Sequence, residues 1–145
     1  MAQYLSGLLT AWATAQLGLS VFFTFAYFLG RRETEYFVFS LLCLALSIAS
    51  AGVAFDYAQV GLAARVLADQ VTHSGMILAA ALNLHFALCF GRTPPPSNRV
   101  TWLYVVAVGY LLALWGGAWW LPGPPHVLDA FVFGRKIEHL VGQAN

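Results

Sequence analysis

Four stretches of this chain, residues 1–30, 36–55, 70–91 and 100–128, contain no Asp, Glu, Lys or Arg. A helix needs about 20 residues to cross a hydrocarbon core of roughly 30 Å, and each stretch reaches that length. Lipid offers no partner to an unpaired backbone N–H or C=O, whereas a helix satisfies its own. Charged residues make up 9% of the 145, against about a quarter in soluble domains. A water-soluble fold could not cover itself with so few charges, and no strand-like alternation points to a β-barrel. The expected fold is therefore all-α: an integral-membrane four-helix bundle with short loops. Its helices fall at about 5–30, 36–55, 70–90 and 100–121, followed by a tail over 122–145.

Charge excludes one class of partner. A formal net charge of +1 with no basic cluster leaves nothing to neutralise nucleic-acid phosphates. Cys43 and Cys89 lie 46 residues apart inside separate spans, without metal-ligand spacing, and read as small buried hydrophobes. The N-terminus, MAQYLSGLLT, lacks the positive segment of a cleaved signal peptide, so the first span is expected to be retained.

In the first span Gly7, Ala11 and Ala15 recur every four residues beside Thr14 and Gly18, a small-residue face that admits a close neighbour. Thr14 and Gln16 are its candidates for interhelical hydrogen bonds. Phe22, Phe23, Phe25, Tyr27 and Phe28 crowd its second half and read as packing or lipid-facing residues. Arg31 to Glu35 is a turn short enough to force an antiparallel return. Ser47 to Gly52 is small and polar, which places that half of the second span against other helices. The RTPPPSNR segment, 92–99, is a loop, since three successive prolines cannot propagate a helix. After the fourth span, Pro-Gly-Pro-Pro precedes a short amphipathic surface segment over 127–140. Arg31, Arg32, Arg92 and Arg99 outnumber the Arg65, Arg135 and Lys136 of the opposite side, so both termini are expected outside.

Ionisable residues within a span are costly and mark functional candidates. At 100° per residue, Asp69, His73, Met76, Ala80, Asn83 and Ala87 share one side of the third helix within about 80°, a stripe expected to face the bundle. His73, Asn83, Asp69 and Met76 are accordingly the candidate ligand-binding residues. His85 lies about 120° around the helix and roughly 18 Å along it from His73, so the two cannot hold one metal or one haem iron. The other three spans contain no histidine. His126 and His139 of the tail, with His73, Asp69 and Asp56, are the residues able to converge on the outer side. Nitrogen and carboxylate donors of that kind suit a metal, or a group titrating near neutral pH. The cofactor is left unknown. No GxSxG, HExxH, phosphate-binding loop or dinucleotide turn occurs, and the chain is not expected to be an enzyme.

Leu84, His85, Phe86, Ala87, Leu88, Cys89 and Phe90, followed by Gly91, Arg92 and the proline loop, resemble the L-H-F-x-L-x-F-P ending of a helix in bacterial multi-helix sensor regions. Those regions are the membrane input parts of sensor histidine kinases and of related cyclase and phosphatase receptors, and are often seven-helical. The Leu-Leu-Cys-Leu-Ala-Leu-Ser run of the second helix is similar in style. His85, Phe86 and Phe90 are the motif positions. The resemblance implies a non-catalytic module of the bacterial inner membrane, either the first four of seven helices or a stand-alone four-helix relative. Such a module binds a small or lipid-soluble signal, or transmembrane helices of another subunit, of a C-terminal part beyond these four helices, or of a second copy. The alternatives are an accessory subunit of an electron-transfer or pigment complex, and a haem- or metal-binding membrane protein.

Overall fold

The computed structural model describes residues 2–30, 33–58, 62–89, 97–116, 126–132 and 135–141, the last two segments as backbone only. It contains four helices, α1 (Ala2–Leu29), α2 (Thr34–Tyr57), α3 (Leu62–Cys89) and α4 (Ser97–Trp115), and each is long and apolar enough to cross a membrane. Arg31, Arg32, the proline loop through Pro96, Trp119 and Trp120 lie outside the described residues.

α3 begins at Leu62, eight residues before the uncharged run at 70. LAARVLAD is rich in good helix formers, and the charges within it do not end the helix. Arg65 is buried, at 6% exposure, rather than held out in solvent as a span marker. The tail also differs from expectation. His126–Val132 and Arg135–Val141 form antiparallel strands β1 and β2, with His126 opposite Val141 and Val132 opposite Arg135. Val, Leu and Phe in HVLDAFV suit a strand, and a two-residue separation matches the shortest hairpin connection.

Each helix packs chiefly on its neighbours in sequence, so the bundle is an open antiparallel row. The start of α1 and the end of α4 consequently lie at the same end. Different chemistry joins each pair. Hydroxyls fasten α1 to α2: Ser6 donates to the Ala54 carbonyl (3.0 Å), Ser47 to the Ala13 carbonyl (2.8 Å) and Ser50 to Oε1 of Gln16 (3.1 Å). Ser40 donates to the Ser20 carbonyl (2.8 Å), which leaves its oxygen to accept from Thr24 (2.6 Å) and Ser20 (3.3 Å). Gln16 thus makes the interhelical bond expected of it. Thr14 does not, because its hydroxyl is taken by the Thr10 carbonyl of its own helix (2.9 Å). The Gly7–Gly18 face is open as well, with nothing within 4 Å of a Cβ added at either glycine.

α2 and α3 meet backbone to backbone instead. A Cβ on Gly75 would lie 2.7 Å from the Ala45 carbonyl oxygen and 2.8 Å from Cα of Ala49. One on Gly52 would lie 2.7 Å from the Thr72 nitrogen and 2.9 Å from the Ala68 carbonyl oxygen. Small residues at both points allow the helix axes to approach, and Val38, Leu42, Ala45, Ala79 and Leu82 fill the seam beyond them. Phe39 continues it, 5.2 Å from the Phe86 ring and 4.7 Å from that of Phe23.

Polarity is inverted relative to a soluble bundle. Gln16, Ser20, Ser40, Ser47 and Arg65 are buried, while Trp12, Phe22, Phe25, Trp102 and Leu112 are more than half exposed. The apolar residues on the outside match lipid, and the polar ones inside find hydrogen bonds there.

Candidate functional site

The α3 stripe is where the chain departs most from the reading of its sequence. Ala68, Gly75, Ala79 and Leu82 are the residues of α3 buried toward α2, and His85 is turned to α4. Met76, Ala80, Asn83 and Ala87 are exposed, and Asp69 and His73 beside them are half-buried. The stripe expected to face the bundle faces away from it. Packing explains the correction: the approach of α2 needs a helix face without side-chain bulk, and Gly75 with its alanines supplies one. A face carrying His73, Met76 and Asn83 cannot.

Asp69 and His73 form a local pair one helical turn apart. His73 Nδ1 is 2.9 Å from the Asp69 carbonyl oxygen and 3.3 Å from its Oδ1. A carbonyl oxygen can only accept, so Nδ1 is the protonated, donating nitrogen of this pair. Asn83 lies ten residues further along α3, roughly 15 Å at helical rise. Among the described residues no hydrogen bond reaches its carboxamide. That group offers two N–H donors and a carbonyl acceptor from a helix surface otherwise made of Met76, Ala80, Leu84 and Ala87.

His85 serves a different purpose. Its Nδ1 is 2.8 Å from the Tyr104 hydroxyl on α4, and the two rings meet edge to face at 5.7 Å between centroids. Phe86 packs on α2 through Phe39. The motif residues His85 and Phe86 therefore tie α3 to both neighbours, while Phe90 lies outside the described residues. At the opposite end of the α3/α4 contact, Gln70 donates to the Leu114 carbonyl (3.4 Å) and the Trp115 indole N–H to the Ser74 hydroxyl (3.0 Å).

The metal-like cluster expected around His73 draws in part on side chains outside the described residues. No three of His, Cys, Asp and Glu gather among the described residues, and the side chains of His126 and His139 fall outside that set. Asp56 leaves Oδ1 buried without a hydrogen bond at this end of α2. A cleft between α1 and α2, lined by Ser6, Thr10, Thr14 and Ser47, is also a poor receptor. Each of those hydroxyls already donates to a backbone carbonyl and has no proton left to offer.

No protein-family model, curated protein or solved structure matches the chain.

Proposed function

We propose that the protein is a non-catalytic integral-membrane input module that docks transmembrane helices of a partner against the polar stripe of α3. The observation that carries this reading is the outward orientation of Asn83. A carboxamide left in lipid without a partner costs on the order of 1–3 kcal/mol or more, so the position favours a neighbouring helix that supplies one. Ala80 and Ala87 flank it at a turn's distance on the same face and keep that neighbour close. The inverted polarity of the four helices supports the membrane location.

The same geometry gives a way to transmit a change. A helix seated on the stripe bears on α3, which is held to α2 through glycine contacts and to α4 through His85 and Tyr104. An equilibrium between two helix arrangements shifts only as far as a ligand or partner binds them differently. Membership of a bacterial sensor assembly rests on the resemblance around His85, and the placement of both termini outside rests on the Arg and Lys bias between the loops. The experiment is site-specific photocrosslinking in native membranes from Met76 and Ala87, which lie on the stripe, against Phe22 on the outer face of α1. Protein adducts from the stripe alone support the reading.

A further inference from the structure

A second feature of α3 and α4 borders the stripe and shares Ala80 and Leu84 with it. Between them runs a groove of about 630 Å³, walled by Ile77, Ala81 and Leu84 on one side and by Leu103 and Val106 on the other. Its lining is almost wholly apolar, with Arg99 and Trp102 at one end and Tyr110 at the other. From Arg99 to Tyr110 is eleven residues of α4, or about 16 Å, close to half of a roughly 30 Å hydrocarbon core. Arg99 is exposed, and among the described residues no carboxylate pairs with it. Trp102, one turn further into the groove, is 66% exposed.

We infer that this groove is a binding site for one anionic phospholipid, its phosphate on the Arg99 guanidinium and an acyl chain along Leu84, Leu103 and Val106. The inference rests on the membrane reading above but not on the docking of helices at Asn83. Three features select this occupant. An extended peptide would bring backbone N–H and C=O groups that an apolar wall cannot satisfy, whereas an acyl chain brings none. A guanidinium matches a phosphate with two parallel hydrogen bonds. An indole beside the cation suits the headgroup level, where one edge of the ring is wet and its body apolar. A second copy of the chain in a two-fold arrangement would bring one Arg99 toward another, which disfavours that occupant.

Native mass spectrometry of the protein purified in neutral detergent tests the site, with phosphatidylglycerol and phosphatidylcholine of identical chains added in competition. Phosphatidylglycerol is expected to be retained about tenfold over phosphatidylcholine: both offer Arg99 a phosphate, but the choline ammonium of the second repels the guanidinium, a difference of roughly 1.4 kcal/mol. Arg99→Gln should bring the two lipids to parity while circular dichroism and the melting temperature stay unchanged. Val106→Trp should reduce retention of both by filling the groove. Equal retention of the two lipids by the wild type, or an undiminished preference in Arg99→Gln, would overturn the inference. So would a complex of two chains without lipid that Val106→Trp abolishes, which would put a second copy in the groove. Extraction of cell membranes at alkaline pH beforehand separates the two levels: a chain that leaves the membrane fraction contradicts the membrane reading itself. A chain that stays but shows no lipid preference contradicts this site alone.

Discussion

The Nδ1 atom of His85 and the hydroxyl of Tyr104, 2.8 Å apart, form the polar contact that attaches the motif end of α3 to α4. α4 packs on little besides α3, so this contact bears more of its placement than a similar bond between α1 and α2, where five other hydroxyls assist. Tyr104→Phe keeps the ring packing and removes only the hydroxyl. It should cost about 1 kcal/mol, in the range of single interhelical bonds in membranes. Unfolding in mixed micelles with increasing dodecyl sulfate, followed by helicity, checks this. His85→Ala, which also loses the edge-to-face contact, should cost more than Tyr104→Phe.

The crossing of α2 and α3 makes a sharper forecast. Gly75→Ala inserts a methyl into backbone atoms of Ala45 and Ala49, and only a shift of the helices can relieve it. Overpacking of this kind costs about 1–3 kcal/mol. Gly7→Ala and Gly18→Ala meet open space, so the gain in helix propensity, up to about 1 kcal/mol, should leave them neutral or slightly stabilised. Thermal melts of the three variants in one detergent distinguish the sites, and equal behaviour would count against the crossing described here.

Ser40 is the centre of the α1/α2 hydroxyl cluster, donating once and accepting twice. Ser40→Ala should destabilise by about 1 kcal/mol. Part of the loss is recoverable, because the Thr24 hydroxyl can turn to the Ser20 carbonyl one turn below it. Thr14→Ala removes a bond within one exposed helix face and should change the same unfolding midpoint by far less.

Four uncharged runs were enough to foresee four long apolar helices, because hydrocarbon thickness and backbone pairing leave few other solutions. The α3 boundary was harder to place, since Arg65 and Asp69 look like span ends until the fold buries one and pairs the other with His73. The face of α3 is hard to read from sequence for a related reason. Polarity and small size both mark interior helix faces in membranes, and on α3 they mark different faces: Ala68, Gly75 and Ala79 against Asp69, His73 and Asn83. Gly75 lies in the sequence as plainly as Asn83, and close backbone approach at a glycine was the signal that would have decided between them. Helical geometry separates His85 from His73, but its partner Tyr104 is nineteen residues away and becomes visible only once α4 is folded back.

The most direct test of the docking face is photocrosslinking in native membranes with a benzophenone amino acid placed singly at Met76, Ala87 or Phe22. The account predicts protein–protein adducts from Met76 and Ala87, of twice the chain's mass where the partner is a second copy, and their loss in an Asn83→Leu background. Phe22 should label lipid only. Lipid adducts alone from Met76 and Ala87, or protein adducts indifferent to Asn83→Leu, would contradict it.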